Sequence, residues 1–481
     1  MNSITPLDPF VRRVLTSEIP TGVPDTLKIV LPLTTEPGKE FAATVVALSD
    51  RCLPTCECDW KVTMDCPEAG LAPLRIEFIR GELAALRIEG LSFAAPGVYR
   101  LRVRCEGAAI VSTPSVCREA HPFHVYWGDP HVHTILSNCH TKHCRSLPFA
   151  YFAGRYLSTL DWMACADHVS SGRCALPQWR EEVAANNHHN VPGEFVTLPA
   201  YEASLKGGCG GDNNIYMRTW PSIFADHYEN GDIKSLMAEL EKLLPAGDAF
   251  AVPHHTTRAV KHGEIPTAIY PGADKMPVAE ITSCWGTSES RGNPDPLWEI
   301  HDGPSYLVDL LNQGLRLGFV GGTDTHISLP FQRDNRGNHL HSDPGGTGVY
   351  AAELTRDAIY EGIRSRSCYA GKRERSYLNA SINGYRPGEW VEDPGAAKGK
   401  TIQVEAAGPS TIEAIDFIRN GKVIHSIAGT AWHQIEEFTD NDELTAHALR
   451  SEIMGLFVYY YTRIRYKDAT LAWSSPVWFK C

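Results

Sequence analysis

Residues 128–134 read GDPHVHT and follow an apolar run, FHVYW, at 123–127. Side chains of an extended segment alternate with period two, so His131 and His133 share a face and can converge on one ion. Two strand histidines can also simply point the same way, so their surroundings decide. His121, His124, His131, His133, His140 and His143 fall within 23 residues, where an even spread of 20 histidines over 481 residues puts about one. Neutral imidazole is the commonest protein metal ligand, and the pattern predicts a metal centre. The Asp129-Pro130 pair before the histidines reads as a turn.

More ligand types close later apolar segments. Asp167 and His168 end DWMACADH, Glu202 ends EFVTLPAYE, His254 and His255 follow AFAVP, and Asp324 and His326 end RLGFVGGTDTH. Singly each has a bland reading, as a helix cap, a solvated strand end or a turn. In GGTDTH two glycines let the backbone approach closely, and the DxH spacing again aims two ligand types together. Five strand ends carrying His or carboxylate predict a polynuclear site.

The elements that must position these groups follow from periodicity. Short buried segments alternate with longer amphipathic ones such as LPFAYFAGRYLSTL and LPQWREEVAANN, and the alternation runs through LTRDAIYEGIRSRSCYA. Strands spaced by helices of this length predict βα units and a parallel sheet or barrel, whose strand-end loops share one face. Before them, residues 26–106 carry alternating runs such as LRIEFIRG and GVYRLRVRCEG, as in a small β-sandwich. After them, KTIQVEAAG and LFVYYYTRIRY return to β patterning. The expected domains are 1–122, a β-sandwich; 123–375, the metal-binding catalytic barrel; and 376–481, a β-rich domain.

The series HVH, ADH, AYEAS, PHH and GGTDTH resembles the PHP (polymerase and histidinol phosphatase) superfamily, with VAEITSCWGTSE and GGTGVYAAELTRDAIYEGIRSRSCYAG resembling its PHP-like branch with flanking β domains, related to the carbaryl hydrolases. The resemblance covers about 124–372 well and the N-terminal region least. It implies an α/β fold, a distorted (β/α)7 barrel holding two or three divalent ions. Carried over by position, His131 and His133 would ligate the first ion, Glu202 would bridge it to a second, and Asp324 would complete the first set. His168 and His326 would belong to neighbouring ions, and His255 or His254 to the second. Two departures stand out. Where the family has an acidic residue or histidine about eight positions after the first histidine, this chain has Cys139, with His140 beside it and His143 as a further candidate. In GGCGGDNNIYM, Asp212 stands where related sequences have histidine. Glu280, in PVAEITS, is expected to orient a ligand rather than to be one.

Such ions lower the pKa of bound water and polarise the bond under attack. A donor set of N and O suits Zn, Mn or Fe. Lys142, Arg145, Arg173, Lys206 and Arg258 are candidate partners for an anionic substrate, with surface charge as the plain alternative for most of them. The expected catalytic residues are Asp324, Glu202 and Arg145. Trp162, Tyr201, Tyr216 and Trp285 are aromatics of the site segments, more often core than substrate wall. The expected activity is hydrolysis of a small ester, carbamate or phosphoester; the alternatives are a phosphoesterase proper or a metal-dependent binding module without turnover.

Composition limits the rest. At 481 residues the chain exceeds one hydrophobic core. A net charge of −12 without long single-sign blocks argues against a nucleic-acid surface and leaves a small-molecule substrate as the expected partner. No run of 18 apolar residues and no signal-peptide core appear, so the expected location is cytoplasmic, without membrane contact. The 14 cysteines then read as thiols. In CLPTCECDWKVTMDC, Cys52, Cys56, Cys58 and Cys66 lack zinc-ribbon spacing.

Overall fold

The computed structural model describes the chain except at residues 1–2, 6, 20–21, 106–107, 140–142, 170–173, 227–230, 259–261, 294, 298–304, 334–342 and 393–398. It is rich in strands, arranged in several sheets.

In the N-terminal region two antiparallel four-stranded sheets face each other. One runs Ser3–Thr5, Ala85–Leu91, Phe41–Ser49, Pro24–Val30; the other Ala108–Val111, Arg102–Cys105, Lys61–Cys66, Leu71–Glu77. Alternation decides what lies between them. Ile29, Val45 and Ile88 from the first sheet meet Val62, Met64 and Val103 from the second in one apolar cluster. Each such side chain contributes roughly 1.5–3 kcal/mol by leaving water. A helix, Pro9–Glu18, starts where the Asp8 carboxylate accepts from the amides of Phe10 and Val11, and proline occupies its first turn. Its buried Val11 and Leu15 pack with Phe149 and Phe152, fastening the N-terminus to the next region.

The ligand-bearing strands form a ring. His124–Val132 pairs in parallel with Trp162–Cys165, which pairs in parallel with Val196–Thr197; a parallel bridge joins His168 to Glu202. Ala200–Ser204, Asp212–Met217 and Ala249–Pro253 follow as an antiparallel triplet. Val278–Ser283 packs beside the last of these and pairs in parallel with Gly318–Gly321. The ring returns to its start where the Asp324 amide donates to the His131 carbonyl at 2.7 Å and Val132 bridges Thr325. The order is therefore mixed rather than wholly parallel: Asp212–Met217 runs against both neighbours, as a short connection through 205–211 requires. Among the described residues of 123–375, Leu176–His189, Ile233–Leu243 and Arg356–Arg364 are α-helices of nine or more residues, and Leu147–Phe152 runs on as a π-turn, Ala153–Leu157.

The predicted Asp129-Pro130 turn is instead the interior of a nine-residue strand. The missing proline donor is tolerated because the antiparallel neighbour, Gly345–Ala351, pairs only as far as Gly128. On the other side of Gly345–Ala351, the sheet continues through Cys368–Lys372 and Leu471–Ser474 into Gly455–Tyr466, Ile412–Arg419 and Lys422–Ala428. One sheet thus crosses position 375.

Candidate metal centre

Four buried side chains meet at the centre of the ring. His131 Nε2 and His133 Nε2 lie 3.1 Å apart. Glu202 Oε2 is 3.6 Å from the first and 3.2 Å from the second, and Asp324 Oδ1 is 3.5 Å and 3.1 Å away. All four residues are at most 2% exposed.

The tautomers follow from the outer nitrogens. His131 Nδ1 is 3.1 Å from Glu280 Oε2, and an anionic partner there holds a proton on Nδ1. His133 Nδ1 is 2.9 Å from Ser137 Oγ, which donates its own proton to Asp167 Oδ1 at 2.5 Å and so accepts from the histidine. In the neutral imidazoles both Nε2 lone pairs then face the two carboxylate oxygens. With both imidazoles neutral, four acceptors converge at a buried point and a bound cation would compensate them, since an uncompensated buried charge costs several kcal/mol. Four N and O ligands at about 2.0–2.1 Å from a tetrahedral ion stand roughly 3.3–3.4 Å from one another. The five separations above straddle that value, so the residues fit a divalent metal ion.

Further groups surround this set. His254 Nε2 lies 3.4 Å from Glu202 Oε1, which makes Glu202 a candidate bridge between positions, and His131, Glu202 and His254 form a second potential ligand group. His255 Nε2 lies 2.7 Å from Asp324 Oδ2, and His254, His255 and Asp324 form a third. His168 Nδ1 is 3.3 Å from Glu202 Oε2, and His326 Nδ1 is 3.6 Å from Asp324 Oδ1. These two join His133 and Cys139 in a fourth group, on the less buried side of the cluster. Cys139 thus stands where the missing acidic residue or histidine was sought.

The electrostatics are those of a cation site. Burial alone would raise the Glu202 and Asp324 pKa values, but the surrounding imidazoles hold both well below the carboxylate range. Burial likewise opposes charge on His131, yet Asp324, Glu280 and Glu202 raise it to about 10. Burial opposes charge on His133 too, yet Asp324 and Glu202 drive it upward, whereas burial leaves His255 lowered. Asp324 and His255 both adopt left-handed backbone, φ 52° each. Asp and His tolerate this region better than most residues, and such strain gathers at functional sites.

The other candidates separate clearly. His140, Lys142 and Arg173 lie outside the described residues. His143 is exposed and belongs to none of the ligand groups. Asp212 is engaged by His262 Nδ1 at 2.5 Å, a partner the spacing did not suggest. Asp167 braces the first histidines rather than joining a ligand group: besides Ser137 it accepts from the Thr134 amide and hydroxyl, both at 2.6 Å. Arg145 donates from Nε to the Glu18 carbonyl and from a terminal nitrogen to the His143 carbonyl, so two of its donors serve backbone. Lys206 is exposed. Trp162, Tyr201 and Tyr216 are core, while Trp285 stands against His255 and His326 with centroids 5.9 Å from each. The histidine crowding is partly accidental. His124 is seven residues, roughly 23 Å of extended chain, from His131 and meets Thr34; His121 meets the Thr35 carbonyl.

Spacing also missed Asp129. Its fully buried carboxylate accepts from the amides of His131, Thr323 and Phe331 and from the Thr323 hydroxyl, tying GDPHVHT to GGTDTH. Burial raises its pKa to about 6.

No family model matches the chain. It is 30% identical over 413 residues to an uncharacterised protein of Chlamydia muridarum and 25% identical over 405 residues to one of Chlamydia pneumoniae, each alignment covering 81% of this chain. The chain spans about 63% of the length of these relatives. Among solved structures, a two-domain protein from Bacteroides vulgatus containing a predicted PHP-like metal-dependent phosphoesterase is similar over 70% of this chain and 90% of its own, at 15% identity and a TM-score of 0.38.

Proposed function

We propose that this chain is a metal-dependent hydrolase of the PHP type, built on a distorted (β/α)7 barrel with β-rich flanks, and that it acts on a small ester, carbamate or phosphoester in the cytoplasm. The observation that carries the reading is the cage of His131 Nε2, His133 Nε2, Glu202 and Asp324, whose separations suit one divalent ion. His254, His255, His168, His326 and Cys139 offer donors for one or two more ions, with Zn, Mn and Fe suited to the set.

Ions bound there would supply Lewis acidity and would activate water. The chain's own residues do the rest. Glu280 and the Asp167–Ser137 pair hold protons on the outer nitrogens of His131 and His133, which keeps the inner nitrogens free to coordinate. Burial of Glu202 and Asp324 keeps bulk water from screening their charge. Among the described residues no helix is long and apolar enough to cross a membrane.

The test is elemental analysis of the purified chain, followed by turnover of p-nitrophenyl phosphate, bis(p-nitrophenyl) phosphate and p-nitrophenyl acetate with Zn, Mn or Fe added. Bound metal with chelator-sensitive hydrolysis is expected. Bound metal without turnover of any substrate would favour a binding module, and absence of metal would overturn the reading.

A further inference from the structure

We infer that Arg258 and Trp285 form an anion-recognising subsite beside the metal cluster, holding an anionic oxygen group of the substrate. The inference rests on the metal-centre reading and adds what the substrate must carry.

Backbone geometry fixes the arginine. The Arg258 amide donates to the carbonyl of His255 at 2.7 Å, and His255 itself is left-handed. Gly263 closes the same turn, where a Cβ would come within 2.5–2.8 Å of the carbonyl oxygens of Thr256, Arg258 and His255. The guanidinium stacks over the Trp285 ring, 5.0 Å from its centroid. That ring stands edge-on against His255 and His326, on either side of Asp324. The pair is therefore a wall of the site.

Its polar atoms are unusual. An arginine on a tryptophan is common on protein surfaces, but its N–H groups then reach water or a carboxylate. Here Arg258 Nε and Trp285 Nε1 are both buried N–H donors with no protein acceptor among the described residues. Among the described residues no carboxylate pairs with Arg258, whereas Arg145 spends two donors on backbone carbonyls. Two buried donors on stacked side chains, one of them cationic, suit an acceptor-rich anion. Phosphoryl and carboxylate groups meet that need, because their oxygens match a guanidinium edge and have no donor of their own. Divalent ions held at the neighbouring cage would reinforce the attraction.

The experiment measures binding of inorganic phosphate and of acetate to the metal-loaded full chain by titration calorimetry, for wild type, Arg258→Gln and Trp285→Phe. The second variant keeps the ring and removes only the N–H. Phosphate affinity is expected to fall at least tenfold in both variants, with metal content and melting temperature unchanged. A tenfold loss confined to acetate would assign the subsite to a substrate carboxylate. The inference is overturned if both variants bind both anions within twofold of wild type, or if wild type binds neither anion at millimolar concentration. Absence of metal from wild type would instead sink the metal reading. The same comparison on the metal-free chain then decides this one.

Discussion

His131 Nδ1 and Glu280 Oε2 lie 3.1 Å apart, and both side chains are buried. The glycine of a neighbouring strand end makes the contact possible: a Cβ on Gly322 would fall 2.3 Å from Glu280 Oε2 and 2.7 Å from His131 Cβ. Glu280 therefore sets the tautomer and tilt of the His131 imidazole, and would act on a bound ion only through it. Removing such a partner typically costs about 10–100-fold in metal affinity. Glu280→Ala is expected to fall in that range by chelator competition, and Gly322→Ala to move in the same direction. Unchanged affinity in Glu280→Ala would remove Glu280 from the site.

His131, His133 and Asp324 are expected to act as a unit, because each supplies an edge of one cage. His131→Ala, His133→Ala or Asp324→Asn should each lose at least one ion per chain by elemental analysis, together with most of the activity. A rate loss below about tenfold, only about 1.4 kcal/mol of barrier, would count against the assignment.

Chelation should expose a pH dependence that metal suppresses. Folding raises the His131 pKa to about 10, and His133 is raised with it. A base raised in the folded state contributes stability that is complete below its unfolded value near 6.5 and is lost as pH climbs toward 10. The metal-free protein is therefore expected to melt at progressively lower temperature between pH 6.5 and 10. The metal-loaded protein should lack this slope, since coordination requires neutral imidazole. Parallel slopes for the two forms would contradict the model.

A second histidine works at acid pH. His189 is packed against Tyr151 and Phe152, and burial lowers its pKa to about 4. Its neutral form is favoured by folding, so stability should fall as pH drops from about 6.5 to 4, by at most about 3 kcal/mol. His189→Gln should flatten the fall of melting temperature over that window. An unaltered profile would show that His189 does not set it.

The sandwich cysteines are expected to carry no metal. Cys58 and Cys66 are buried thiols, and none of Cys52, Cys56, Cys58 and Cys66 enters a ligand group among the described residues. The double variant Cys52→Ser, Cys56→Ser should leave metal per chain unchanged, and loss of one zinc would refute this.

The residues that meet in the candidate site were legible as a set because they end apolar runs. A polar group at the last position of a buried strand is either solvated or functional, and HVH, AYE, PHH and TDTH repeat that placement across 200 residues. Period two alone put His131 and His133 on one face. It said nothing of which nitrogen faces inward: that depends on Glu280, 149 residues away, and on Ser137 and Asp167. Density of histidine misled at His121 and His124, because nearness along a strand is distance in space.

Local pattern by itself determined where strands lie in the flanking regions and which residues of the ring strands are ligand-type. These properties depend on residue type and short-range periodicity. Only the tertiary structure decided that Asp212–Met217 runs antiparallel, that one sheet crosses position 375, that Asp212 turns to His262 and Arg145 to backbone, and that Arg258 reaches Trp285. Most of these outcomes are choices among partners far apart in sequence, such as Arg145 with Glu18 and Asp212 with His262. Closure of the ring makes those choices by setting which groups are within hydrogen-bonding distance once water is gone.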